Sequence, residues 1–185
     1  RLPEGGILKK RRPYLLVDPV MGDDGRTYKM FTPKLLERMK RLAARADIIT
    51  PNLTELCLLT GNDFQELKCL SRSGNGVRCC EPSTRNDMFL EAVERMAREM
   101  IARGPRIVVV TGIGFEDPDN GAAKIGNLAV VKNEMQSEDE GILIGRDANG
   151  STDGTISSRF LAFPYVGGSF SGTGDLFASV LAGGM

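Results

Sequence analysis

The chain has 185 residues, 41% of them hydrophobic, which suits one domain (1–185) able to bury roughly 70% of the surface its unfolded form exposes. Its 24 Lys plus Arg balance 24 Asp plus Glu, and the longest basic run, Lys9-Lys10-Arg11-Arg12, has no interleaved aromatic residue, which argues against a nucleic-acid surface. No stretch reaches the roughly 20 apolar residues of a membrane span, and the first residues lack the pattern of a signal peptide. The expectation is a cytoplasmic protein with neither nucleic acid nor membrane as partner. There is no His in the chain, which excludes mixed Cys/His zinc sites and Ser-His-Asp or Cys-His catalysis. Cys57, Cys69, Cys79 and Cys80 contain no C-x-x-C pair and are expected as reduced thiols. Chemistry is left to carboxylates, hydroxyls, amines, backbone dipoles or a bound metal.

In chain order, Tyr14-Leu15-Leu16-Val17 is a short apolar run ending at Asp18-Pro19, the composition of a buried parallel strand. Thr32 as N-cap with Pro33 behind it opens a helix with Leu35, Leu36, Met39, Leu42, Ala43 and Ala46 at helical spacing. Ile48-Ile49 is a second short strand ending at Thr50-Pro51, and Asn52 begins a short helix that Gly61 stops. Asn62 to Arg85 reads as a long irregular loop. Asn86 to Arg103 is an amphipathic helix, with Phe89, Val93, Met96, Ala97, Met100 and Ile101 on one face. Ile107 to Thr111 is a third apolar strand, stopping at Thr111-Gly112. Beyond Gly114 the pattern changes: Ile125 to Val131, Gly141 to Gly145 and Arg159 to Val166 read as strands separated by polar turns, an antiparallel meander added to a parallel sheet.

The chain closes on Gly172-Thr173-Gly174-Asp175 followed by the apolar, helix-forming run Leu176 to Leu181. Two glycines allow a tight turn that presents backbone N–H groups at a helix start, where the macrodipole favours an anion. In open α/β sheets, ligands bind beyond the carboxyl ends of the strands. Asp18, Thr50 and Thr111, each ending a strand, are therefore expected to share one edge with the Gly172 loop.

Four segments in order, Asp18-Pro19-Val20-Met21-Gly22-Asp23-Asp24-Gly25, Thr50-Pro51-Asn52-Leu53-Thr54-Glu55, Val110-Thr111-Gly112 and Gly172-Thr173-Gly174-Asp175-Leu176-Phe177, resemble the successive motifs of the pyridoxal kinase family of the ribokinase-like superfamily. The resemblance implies a three-layer α/β/α fold with a mostly parallel central sheet plus the antiparallel meander. It implies ATP-dependent phosphorylation of the 5′-hydroxymethyl group of pyridoxal, pyridoxine or pyridoxamine, with Mg²⁺, a monovalent cation such as K⁺, and a homodimer. Asp175 is then the catalytic base and Gly172, Thr173 and Gly174 the anion hole, with Gly172 and Asp175 also touching the substrate. Asp18, Thr50, Asn52, Glu55, Thr111, Gly112 and Ser171 would bind nucleotide, and Asp18, Asp23 and Glu55 would surround the metal, not all of them in direct contact with it.

Other readings stand beside this one. Asp18-Pro19 also serves simply to end a strand, and Asn52-x-x-Glu55 has the spacing of a helix capping box. Within the superfamily, hydroxymethylpyrimidine kinase is the nearest rival, typically with Cys where Asp175 stands. The family's chains are longer at both ends, so part of the pyridoxal pocket and of the adenine pocket is expected to lie outside this sequence. A catalytically incomplete nucleotide-binding fragment is therefore a third reading. A P-loop is absent, since no G-x-x-x-x-G-K-[ST] occurs.

Overall fold

The computed structural model describes residues 13–71, 82–117, 120–133, 156–168 and 172–184. Its elements run β1 (Leu16–Val17), β2 (Gly22–Asp23), β3 (Arg26–Thr27), α1 (Pro33–Ala43), β4 (Ile48–Ile49), α2 (Leu53–Thr60), α3 (Phe64–Ser71), α4 (Pro82–Arg103), β5 (Ile107–Glu116), β6 (Ala123–Lys132), β7 (Ile156–Pro164) and α5 (Thr173–Gly183). The main sheet has the order β1-β4-β5-β6-β7, and β2 and β3 form a separate antiparallel hairpin. Pairing is parallel from β1 through β4 to β5, then antiparallel to β6 and β7. The expected parallel sheet and meander are both present, in a mixed sheet with as many antiparallel as parallel pairings among the described residues.

The short parallel strands are held from both sides. Ile48 and Ile49 pair with Leu16 and Val17 on one flank and with Ile107 and Val108 on the other, and both isoleucines are buried. On this sheet lies α4, whose Phe89, Val93, Met96, Ala97, Met100 and Ile101 join Val108, Val110, Leu128 and Val130 in the core. The spacing of those α4 residues creates the apolar stripe, and burying it stabilises the helix more than propensity does. Arg103 at the end of α4 donates to the carbonyl of Leu59 at 2.6 Å, satisfying a backbone acceptor in the last turn of α2.

Helix starts follow the capping residues. Thr32 Oγ1 accepts from the Leu35 N–H at 3.2 Å, with Pro33 at the first helical position. Gly104 follows α4 at φ 151°, and a Cβ there would lie 2.0 Å from the Ala44 carbonyl oxygen, so only glycine fits.

Two sequence expectations are corrected. The segment 62–85 is not wholly irregular: Phe64, Leu67 and Leu70 sit on one face of α3 and pack on the core, and Asp63 caps that helix by accepting from Gln65 and Glu66 N–H at 2.6 and 3.0 Å. Nor does β5 stop at Thr111. It runs to Glu116 through an irregularity between Val110 and Ile113. The expected strand 141–145 lies outside the described residues, as do Cys79 and Cys80. No helix among the described residues is long and apolar enough to cross a membrane.

Candidate active site

The carboxyl ends of β1 and β4 place Asp18 and Thr50 side by side. Thr50, buried at 3% exposure, donates its hydroxyl to Asp18 Oδ1 at 2.9 Å. This fixes the carboxylate's rotamer and turns its second oxygen towards α5. A Cβ built on Gly174 would lie 3.9 Å from Asp18 Oδ2, so the first turn of α5 meets the end of β1 without a side chain between them. Gly172 caps α5 from the left-handed region at φ 83° and offers no side-chain hydrogen bond to it. The Asp175 carboxylate bends back over that turn, its Oδ2 being 4.0 Å from where a Gly172 Cβ would stand. Thus the residues expected as base and anion hole, Asp175 with Gly172, Thr173 and Gly174, come together with Asp18, and Asp175 is exposed. Ser171 lies outside the described residues.

The hairpin β2–β3 is fastened beside them by α2. Asn52 and Glu55 form a full capping box: Glu55 N–H donates to Asn52 Oδ1 at 2.9 Å and Asn52 N–H to Glu55 Oε2 at 2.8 Å. The same two side chains then reach 30 residues or more back along the chain. Met21 N–H donates to Glu55 Oε1 at 3.0 Å, and Asn52 Nδ2 donates to the Gly22 carbonyl at 2.8 Å. Thr54 Oγ1 accepts from Gly25 N–H at 2.8 Å, and Lys68 pairs with Asp24 at 2.5 Å. Glu55 is 5% exposed. Burial pushes its carboxyl up to about 7; the backbone donors of Asn52, Met21 and Gly22 oppose this, and the charge of Asp18 adds to it.

Tyr28, just past the hairpin, was not found by sequence reasoning. Its hydroxyl titrates above the usual phenol range, through desolvation first and then the negative charges of Asp23, Glu55 and Asp175. No spacing in the sequence signals that Tyr28 feels the charges of these three carboxylates.

On the far side of the edge, Thr111 bridges to Asn52, and its N–H donates to the Pro51 carbonyl at 2.9 Å. Gly112 follows at φ 68°, with nothing within 4 Å of where its Cβ would be. Asp18, Thr50, Asn52, Glu55, Thr111 and Gly112 thus line one edge.

Asp18, Asp23 and Glu55 were expected around the metal with only some of them in direct contact, and no group of three or more Cys, Asp or Glu side chains among the described residues is placed to hold an ion. Both Glu55 oxygens accept backbone N–H groups, and Asp23 Oδ1 accepts from Asp24 N–H at 2.9 Å. Asp18 fits better, since one oxygen is fixed by Thr50 and the other faces Gly174. A single carboxylate suits Mg²⁺, which keeps several waters and completes its shell with substrate phosphates.

A mixed sheet whose carboxyl edge faces a glycine-led helix carrying an acid in its first turn places the fold in the ribokinase-like class of α/β proteins. Within that class the chain resembles the pyridoxal kinases. The family model described as phosphomethylpyrimidine kinase matches residues 6–79. A protein of Caenorhabditis elegans named "Putative pyridoxal kinase" is 32% identical over 167 residues, which are 89% of this chain and 36% of that protein. Among solved structures, one named as a "putative phosphomethylpyrimidine kinase" from Bacteroides thetaiotaomicron, crystallised with pyridoxal, is 26% identical with a TM-score of 0.57, covering 94% of this chain and 46% of that one. Pyridoxal kinase from Leishmania donovani in complex with ADP and pyridoxamine, at 24% identity and TM-score 0.56 over 90% of this chain and 40% of its own, shares the fold. The chain spans less than half the length of each of these proteins.

Proposed function

We propose that this chain carries the phosphoryl-transfer site of an ATP-dependent kinase acting on the 5′-hydroxymethyl group of pyridoxal, pyridoxine or pyridoxamine. The observation that carries the proposal is the meeting of Asp175 and the open N-terminal turn of α5 with Asp18 across Gly174. Phosphoryl transfer asks a protein chiefly for positioning, charge neutralisation and an acceptor for the alcohol proton, and this geometry supports each. The Asp175 carboxylate takes the hydroxyl proton as the alcohol oxygen attacks the γ-phosphorus. The bond from that phosphorus to the β–γ bridging oxygen breaks, and ADP leaves. Backbone N–H groups at the start of α5 face the transferring phosphoryl, where the helix dipole favours its negative charge. Asp18 would hold Mg²⁺, which supplies charge neutralisation on the phosphates when bound. Glu55 and Asn52 act by fixing the hairpin beside the site.

The rival reading, a hydroxymethylpyrimidine kinase, is favoured by the description of the matching family model; Asp at position 175 favours the vitamin B6 reading. The test is incubation of the complete protein that carries this chain with ATP, Mg²⁺ and each B6 vitamer. Phosphorylation at the 5′ oxygen, seen by phosphorus NMR, supports the proposal, and ATP left intact with all three would refute it.

A further inference from the structure

The irregularity in β5 has an occupant that the proposed mechanism does not use. Val110 pairs with Leu128 and Ile113 with Gly126, so Thr111 and Gly112 on β5 stand opposite the single residue Asn127 on β6. This two-against-one arrangement is a β-bulge, which leaves a ladder bond unmade and re-aims the residues around it. The Asn127 side chain makes good the loss: its Oδ1 accepts from Gly112 N–H at 3.1 Å. Because a backbone N–H can only donate, that bond fixes the amide's orientation, and Nδ2 with its two N–H groups points away from Gly112. Asn127 is only partly buried, and the space over Gly112 is open.

Position gives that amide a use. Asp18, Thr50, Thr111 and Asn127 belong to or end four successive strands, β1, β4, β5 and β6, so with neighbouring strands about 4.8 Å apart they span about 14 Å across the sheet, Thr111 and Asn127 lying two residues further along than Thr50. With the transferring phosphoryl at the α5 end of this span, the nucleoside half of the nucleotide falls at the other end. We infer that Asn127 is a nucleotide-binding residue, holding the Thr111–Gly112 bulge through Oδ1 and donating through Nδ2 to an acceptor on the nucleoside half of ATP or ADP. The inference rests on the nucleotide-binding reading above.

Asn127→Asp separates the two roles, because it keeps the acceptor for Gly112 and removes the outward donor. In calorimetric titration of the purified protein with ADP, Asn127→Asp should raise Kd tenfold or more while the thermal midpoint stays as in the wild type. The loss should persist at about 1 M salt, where the Debye length is about 3 Å and simple charge repulsion is screened. Asn127→Ala should weaken ADP at least as much and also lower the midpoint. An Asn127→Asp protein that binds ADP within twofold of wild type, or whose deficit vanishes in high salt, would overturn this inference alone. A wild type that does not bind ADP at all would overturn it together with the nucleotide reading.

Discussion

Asp18 Oδ2 and Gly174 face each other so closely that a methyl group on the glycine would stand 3.9 Å from the carboxylate oxygen. That is ordinary contact, and Gly174 has no left-handed φ. Gly174→Ala should therefore fold as well as the wild type, or gain up to about 1 kcal/mol from better helix propensity. The same methyl occupies the approach of the phosphoryl to the α5 turn, so kcat/KM for ATP should fall at least about tenfold, that is by about 1.4 kcal/mol of transition-state stabilisation. Thermal melts and steady-state kinetics on one preparation check both halves; full activity would reduce the turn to a helix start.

Asp175 is exposed at the first turn of α5, so replacing it should cost the fold little. Asp175→Asn should lower kcat by roughly 10² or more, the scale of losing a general base, with ADP affinity nearly unchanged. Unchanged turnover would remove Asp175 from the mechanism.

Glu55 makes stability depend on pH in a definite direction. Its carboxyl moves from the ordinary 4.5 to about 7 in the fold, so the native state holds that proton more tightly than the unfolded chain does. The associated stability is complete below about pH 4.5 and is lost as pH rises through about 7. At about 1.4 kcal/mol per unit, the loss is roughly 3 kcal/mol. Without metal or nucleotide, denaturant unfolding of the wild type compared with Glu55→Gln should show a stability difference that shrinks by that order between pH 5 and 8. A difference flat across the range would contradict the buried environment assigned to Glu55.

Asn52 serves two elements at once, as α2 cap and as donor to the Gly22 carbonyl. Asn52→Ala should cost about 2 kcal/mol, a cap plus one hydrogen bond, and lower the thermal midpoint by roughly 4–8 °C. Amide exchange at Met21 and Gly22 should accelerate, because their anchor on α2 is loosened. Unchanged exchange there would mean the hairpin is held by the Glu55, Thr54 and Lys68 contacts without help from Asn52.

The capping box at Asn52 and Glu55 was legible because its partners are three residues apart, and the strand ends at Asp18 and Thr50 because apolar runs stop there at turn-forming residues. The reach of Glu55 to Met21 was not legible. It spans 34 residues and exists only after β1 and β4 pair. Helix α3 was hidden by the polar and cysteine-containing residues around Phe64, Leu67 and Leu70, although those three recur at helical spacing. The bulge at Thr111–Gly112 and its partner Asn127 escaped for a similar reason: Gly112 read as a strand stop, and only the register with β6 shows the chain continuing through it. Which of Asp18, Asp23 and Glu55 has an oxygen left over was not legible either, because the backbone donors that occupy both Glu55 oxygens are invisible until the hairpin is in place.

The central claim is the chemistry at Asp175, and it is tested most directly by ranking acceptors. With ATP and Mg²⁺, the complete protein that carries this chain should show a far higher kcat/KM for at least one of pyridoxal, pyridoxine and pyridoxamine than for hydroxymethylpyrimidine. The reverse ranking would contradict the account and move the site to the pyrimidine branch of the same fold.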